Sequence, residues 1–315
     1  MTGVSRLILM PLAVLGLSMA TQPASQTQPR HAFNVAHRGA SAYAPEHTLE
    51  AYRLAIAQGA DYVEQDLGLT RDGVLVCLHD LSLERTTDVE EVFPERATVT
   101  TEGGQQRRRW YVDDFTLAEI KRLDAGTWFD PSFAGARVPT FQEALDLVKG
   151  KAGIFPELKG PERLRAKGLS LEDAVVAALE KNGLTNATVN GRPAVLLQSF
   201  EEQSLRTLAR RLPHVPRTFL IGAPGAAARW LSPEGLREMA AFVTGVGPAR
   251  ALVAARPELV RDAHAVGLTV VPWTFRALRG STTESAAAVA DMRRFVDDYG
   301  VDGLFTDNPD LFPRP

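Results

Sequence analysis

Two carboxylates, Glu64 and Asp66, stand two residues apart in the run Tyr62 to Leu67. In an extended segment residues i and i+2 point to one face, so these two would project side by side. A cation that prefers hard oxygen ligands needs that arrangement. Glu157 and Lys159 repeat the spacing after Ile154-Phe155, and share a face if the segment is extended. Two histidines, His37 and His79, each end an apolar run. Beside a metal, two imidazoles could serve as general base and general acid. Singly these signals are weak. Exposed acids on an edge strand also read Glu-x-Asp, and a lone histidine at a strand end is more often structural. Carboxylates that face a barrel interior are another matter, because burying them unpaired is strongly penalised. Glu64, Asp66 and Glu157 together would make an oxygen site for Ca²⁺ or Mg²⁺ and disfavour zinc.

These residues must be positioned by alternating elements. Phe33 to Ala36, Tyr62 to Leu67 and Val74 to Leu78 read as strands, the last returning through the Asp72-Gly73 turn. Apolar residues near helical spacing predict a helix over 46–58, stopped by Gly59. Further helices are predicted at 117–123, with Thr116 as N-cap, and at 141–148, 171–181, 202–212, 233–242, 257–265 and 286–299. Strands are predicted between them, at 194–198, 217–221, 243–246, 268–273 and 301–307. Such alternation implies a parallel sheet. About eight strands over roughly 280 residues suit a closed (β/α)8 TIM barrel, although periodicity alone leaves an open doubly wound sheet in play. No G-x-G-x-x-G turn favours a dinucleotide fold. The polar residues singled out fall near the C-terminal ends of predicted strands, the face on which barrel active sites lie.

The stretch from His37 to Asp80 resembles the signature of the glycerophosphodiester phosphodiesterase family. The matching pieces are His37-Arg38-Gly39, Pro45-Glu46, Gly59-Ala60-Asp61, Glu64-x-Asp66, Thr70-Arg71-Asp72-Gly73 and His79-Asp80. Their order and spacing together are far more specific than any one of them, and the resemblance continues to the C-terminus. It implies the TIM barrel and the metal ligands Glu64, Asp66 and Glu157. It also implies catalysis by His37 and His79 in two steps through a cyclic phosphate, yielding sn-glycerol 3-phosphate and an alcohol. Gln198 and Trp273 match positions lining the family's pocket, and Trp273 reads equally well as barrel packing. Arg38 fits as a phosphate clamp, since its planar fork matches phosphate oxygens. Lys159 fits as a second positive charge at the transition state. Either could instead pair with the metal-site acids. One position departs: the family usually has Asn where this chain has His47. Arg276 follows Trp273-Thr274-Phe275, where many relatives have Asn and some exported members are basic; contact with the substrate and with the loop alone are both open. His31, His47, His214 and His264 read as surface or structural.

Residues 81–114 read as an irregular, polar insertion in a barrel that otherwise occupies 31–315. It contains the basic-aromatic cluster Arg107-Arg108-Arg109-Trp110-Tyr111. A stretch of this length is functional or mobile in most compact domains. A headgroup-contacting gate and a solvated excursion are both open. Residues 1–20 read as a signal peptide: Arg6 is the sole charge, Leu7 to Met19 is apolar apart from Gly16 and Ser18, and Ser18-Met19-Ala20 offers a cleavage site. Residues 21–30 read as a disordered leader, so an exported protein, periplasmic or secreted, is expected.

A net charge of −3 gives no ground for general affinity to nucleic acid or anionic membrane. The only cysteine, Cys77, lies in an apolar run and reads as a small buried hydrophobe; no intramolecular disulfide can form. A phospholipase D-like enzyme acting on sphingomyelin or lysophospholipid shares part of the signature, but suits disulfide-bonded secreted toxins better. A non-catalytic exported binding protein is the reading from another class. The absence of any His-x-His argues against a zinc amidohydrolase.

Overall fold

A computed structural model describes residues 1–3, 31–222, 224–278 and 280–314. The signal peptide and leader expected at 1–20 and 21–30 lie almost wholly outside these residues. The barrel belongs to the unit His31–Pro315.

Eight parallel strands form the barrel wall: β1 (Phe33–Ala36), β2 (Tyr62–Leu69), β3 (Gly153–Leu158), β4 (Leu197–Ser199), β5 (Arg217–Ile221), β6 (Gly245–Pro248), β7 (Thr269–Val270) and β8 (Gly303–Thr306). They neighbour one another in chain order, and β8 returns to pair with β1. The gap between β7 and β8 is spanned by backbone hydrogen bonds, Asp302 N to Val270 O and Phe305 N to Pro272 O, each 3.0 Å. This is the (β/α)8 TIM barrel expected from the alternation. Helices α1 (Leu49–Ala57), α2 (Phe141–Val148), α3 (Leu171–Lys181), α4 (Glu202–Arg211), α5 (Pro233–Met239), α6 (Glu258–His264) and α7 (Thr282–Arg293) each follow one strand. Among the described residues, no helix is long and apolar enough to cross a membrane.

Side-chain phase along the strands decides what the barrel encloses. Phe33, Val35, Tyr62, Phe155, Val271 and Phe305 form one buried apolar cluster inside it. Glycines make room for these rings: a Cβ at Gly153 would meet the Tyr62 ring at 2.4 Å, and one at Gly303 would meet the Phe33 ring at 2.6 Å. The outward alternates, such as Val63, Leu67 and Ile154, pack against the helices. Continuing the inward phase past the apolar layer brings up His37, Glu64 and Asp66, Glu157 and Lys159, Trp273, and Asp307. The polar site is thus the next layer of the same interior.

Helix α1 starts three residues later than its apolar spacing suggests, because Thr48 is the cap: its hydroxyl accepts from Ala51 N at 3.2 Å. The 81–114 stretch is more regular than its sequence suggests. Thr98–Glu102 and Gln105–Arg109 form an antiparallel hairpin. Gly103 and Gly104, at φ 57° and 80°, supply the two left-handed residues that a tight hairpin turn needs. Both strands are almost wholly exposed, so no hydrophobic alternation advertises them. The rest of the insertion packs Leu83, Phe93 and Trp110 into a small core shared with Val76, Leu78 and Phe115 on either side of it. Trp110 is fully buried, and its indole donates to Phe93 O at 2.7 Å. The basic-aromatic cluster therefore serves partly to hold the insertion together: Arg108 lies over the Trp110 ring, and Arg109 pairs with Glu84 and Glu102. Short helices also form at Pro161–Ala166, Pro224–Trp230 and Arg250–Ala255, where the apolar spacing predicts none.

Candidate active site

The carboxylates are cross-strand neighbours. In the β2–β3 register Asp66 stands beside Glu157, and Glu157 stands beside Gln198 of β4. Glu64 lies one inward position below Asp66, opposite Phe155. All three acids are buried. Together with His37, Arg38, His79, Gln198 and Trp273 they line one cavity of about 100 Å³. Lys159 lines an adjoining groove of about 520 Å³ that shares His79 and Glu157 with the cavity. Its Nζ lies 3.1 Å from Glu157 Oε1 and 3.9 Å from Asp66 Oδ1. The barrel thus collects the site residues expected from the sequence at one mouth.

Backbone conformation brings Arg38 into the site. Arg38 and Gly39 both have positive φ, 58° and 86°. The turn points the Arg38 amide at Glu64, where N donates to Oε2 at 2.6 Å. Its guanidinium donates to Glu46 Oε1 at 3.0 Å and lies 3.6 Å from Asp66 Oδ2. Glu46 also receives Arg85, whose Nη2 is 2.6 Å from Oε1. Arg85 in turn donates to Asp80 at 2.5 Å, so one arginine ties the loop after β1 to the loop carrying His79.

Each histidine is backed by a carboxylate. His37 Nδ1 lies 2.7 Å from Asp307 Oδ1, and His79 Nδ1 lies 2.6 Å from Asp80 Oδ1. A carboxylate accepts only, so Nδ1 of each ring is the donor and Nε2 is left for proton exchange. Sequence reasoning misses Asp307. The one signal for it is its place two residues past the inward-facing Phe305. Its other oxygen accepts at 3.0 Å from Arg276. His47, expected to be surface or structural, is buried at the site, with Nε2 2.8 Å from Asp66 Oδ2.

Without a counter-charge the acids oppose one another. Burial, then the charge of Asp66, pushes the Glu64 carboxyl well above the usual range. Burial and Asp66 likewise push Glu157 up to about 8, against the pull of Lys159. Burial would raise Asp66 too, but the Lys159 charge and the His47 hydrogen bond hold it well below. Asp66 Oδ1 is buried with no hydrogen-bond partner. An orphaned carboxylate oxygen beside two acids driven toward protonation is the environment that a divalent cation relieves. Among the described residues, the ligand atoms that lie within 4.8 Å of one another belong to His47, Glu64 and Asp66. Glu157 stands beside Asp66 in the register, and the oxygens of the three acids are of the kind a hard cation takes.

Comparison with known proteins agrees with this geometry. Residues 37–311 match the Glycerophosphoryl diester phosphodiesterase family. A glycerophosphodiester phosphodiesterase of Bacillus subtilis is 34% identical over 295 residues, covering 91% of this chain and 87% of the relative. One from Haemophilus influenzae is 29% identical, covering 88% and 87%. The crystal structure of a glycerophosphodiester phosphodiesterase from Agrobacterium tumefaciens has a TM-score of 0.65 at 27% identity, covering 89% of this chain and 98% of that one. An Oleispira antarctica phosphodiesterase, solved in complex with the product sn-glycerol-3-phosphate, has a TM-score of 0.66 at 25% identity, covering 90% and 95%. A signature starting at His37 and a match running through the last barrel strand leave one assignment: the chain belongs to the glycerophosphoryl diester phosphodiesterase family.

Proposed function

We propose that this protein hydrolyses glycerophosphodiesters to sn-glycerol 3-phosphate and an alcohol, with a divalent cation held by Glu64, Asp66 and Glu157. The observation that carries the reading is the pairing of His37 with Asp307 and of His79 with Asp80 around one cavity that also holds three buried acids. The cation, Ca²⁺ or Mg²⁺, would neutralise phosphate charge and lower the pKa of the attacking hydroxyl.

The side chains supply the rest. Arg38 and Lys159 bring positive charge to the phosphate oxygens, while Gln198 and Trp273 shape the wall. A substrate hydroxyl adjacent to the diester attacks phosphorus as one histidine takes its proton at Nε2. The other histidine protonates the departing alkoxide, releasing the alcohol and leaving a cyclic phosphate. Water then opens the ring with the roles reversed, which returns both imidazoles to their starting states. Backing by Asp307 and Asp80 holds each ring in the tautomer this exchange needs.

The groove beside the cavity is where we place the leaving headgroup, under the hairpin of the insertion. Its lining carries Asp80, Glu102, Glu157 and Glu201 against Arg109 and Lys159, an acidic balance that suits a cationic headgroup such as choline. We also read the protein as exported, on residues 1–20 alone; the N-terminal sequence of the mature protein tests that.

Phosphorus NMR of the purified protein with glycerophosphocholine, in Ca²⁺, Mg²⁺ or EDTA, tests the reaction. Metal-dependent appearance of glycerol 3-phosphate, lost in His37→Ala and His79→Ala, is the expected result. Cyclic phosphate from lysophospholipid or sphingomyelin, with glycerophosphocholine untouched, would indicate a phospholipase D-like enzyme instead. Binding of glycerophosphocholine without turnover of any of these would indicate a binding protein.

A further inference from the structure

His47 is 2% exposed and lies in the loop between β1 and α1 at φ 53°. Its backbone N donates to Arg38 O at 3.0 Å, which fastens the residue to the turn carrying the phosphate clamp. Its ring makes two contacts. Nε2 is 2.8 Å from Asp66 Oδ2, and Nδ1 is 2.9 Å from the hydroxyl of Tyr52, itself fully buried. The ionised carboxylate can only accept, so Nε2 must carry a proton. A neutral ring then has a bare Nδ1, and the Tyr52 hydroxyl is the donor that satisfies it. Asp66 thereby selects the tautomer, and the Tyr52 hydroxyl, donating to Nδ1, stabilises it.

That bond makes the two oxygens of Asp66 unequal. Oδ2 is held by His47, with Arg38 Nε 3.6 Å away. Oδ1 is buried without a hydrogen-bond partner, and Asp66 stands beside Glu157 in the strand register. Carboxylates that bind metals are themselves oriented by neighbouring hydrogen bonds.

We propose that His47 is a positioning residue for the metal, held by Tyr52 in the Nε2–H form and fixing Asp66 so that Oδ1 alone is offered to the cation. It is not a ligand, because the nitrogen nearest the acids carries the proton given to Asp66. The inference rests on the cation reading proposed above.

Titration of the metal-free, full-length protein with Mn²⁺, followed by calorimetry and electron spin-echo spectroscopy, tests it. The wild type should bind one Mn²⁺ without the nitrogen modulation of a coordinated imidazole. His47→Ala should weaken binding roughly 10–100-fold. His47→Gln, whose amide can place a donor near the position of Nε2, should recover most of the loss. Tyr52→Phe, which removes only the hydroxyl, should weaken binding several-fold while the near-ultraviolet circular dichroism stays native. Unchanged affinity in His47→Ala would overturn the proposal, as would a directly coordinated nitrogen in the wild type. If His47→Ala does not fold, unchanged affinity in Tyr52→Phe overturns it equally. A wild type that binds no divalent cation would overturn the cation reading itself, and this inference with it.

Discussion

His37 Nδ1 and Asp307 Oδ1 lie 2.7 Å apart although 270 residues separate them in the chain. The contact closes the barrel functionally where β8 meets β1, since Ala36 and Thr306 are register partners and each pair member follows directly. Asp307 is almost fully buried and its second oxygen accepts from Arg276. Burial would raise this carboxyl, but the hydrogen bond and charge of His37 outweigh it and keep the group ionised.

Asp307→Asn is therefore expected to lower kcat roughly 10²-fold or more, with KM changed only a few-fold, because general acid–base catalysis is worth that much and substrate binding does not use Asp307. Asp80→Asn should cost less. The His79–Asp80 pair is about a third exposed, at 32% and 31%, so solvent can replace part of what is lost. Steady-state kinetics of the two variants, with native circular dichroism as control, decide the order; a larger loss in Asp80→Asn would contradict it.

Glu157 offers the opposite trade. Burial and the neighbouring Asp66 raise its carboxyl from 4.5 to about 8 in the metal-free protein. A raised acid binds its proton more tightly when folded than when unfolded. Its contribution to stability is thus lost as pH rises from about 4.5 toward 8. Glu157→Gln removes that liability. In EDTA at pH 8 the variant should melt at a higher temperature than the wild type, with the gap shrinking toward pH 5. With Mg²⁺ or Ca²⁺ present the order should reverse, because the variant lacks one of the ligands proposed above. Thermal unfolding at the two pH values, with and without metal, checks both signs.

Much of this site is legible along the chain because the barrel preserves local spacing. Glu64 and Asp66 share a face, as do Glu157 and Lys159, by the period of a strand, and the positions of their strands follow from hydrophobic runs. The contacts that orient these groups are legible only in part. Asp80 adjoins His79 in sequence, whereas Asp307 reaches His37 only through barrel closure. His47 looks like an isolated polar residue in a loop; its role depends on a left-handed backbone that turns the ring under Asp66. The hairpin of the insertion escapes for another reason. Its strands, Thr98–Glu102 and Gln105–Arg109, are held by backbone pairing and by Arg109 to Glu102, so neither needs an apolar face.

Glu46 joins the loop after β1 to the His79 loop through Arg38 and Arg85. Burial opposes its charge, but the Arg85 hydrogen bonds and the Arg38 charge win, lowering it from 4.5 to about 2. A depressed carboxyl contributes stability that is complete above about 4.5 and disappears as pH falls to about 2. Glu46→Gln should therefore destabilise the protein by about 2–3 kcal/mol at neutral pH and flatten the acid limb of its stability curve across that window. Urea unfolding at pH 7 and pH 3 measures both. Equal destabilisation at the two values would show that lost packing, rather than lost charge, is responsible.

Gly39 links stability to catalysis through a single backbone angle. At φ 86° it sits in a region that side chains disfavour, and a Cβ there would lie 2.8 Å from both the carbonyl carbon and the Cβ of Ala51 in α1. Neither atom can swing aside as a flexible side chain could. Gly39→Ala should destabilise by about 2–4 kcal/mol, the sum of a left-handed conformation and an overpacked contact. The turn also aims the Arg38 amide at Glu64, so the activity per folded molecule should fall as well. Gly73 is the matched control: its φ is 78°, but nothing lies within 4 Å of its added Cβ. Gly73→Ala should cost only about 1–2 kcal/mol and leave kcat near the wild-type value. Chemical denaturation and kinetics on the pair separate strain alone from strain at the site. An equal loss of kcat in both variants would mean that the Arg38 turn tolerates being moved.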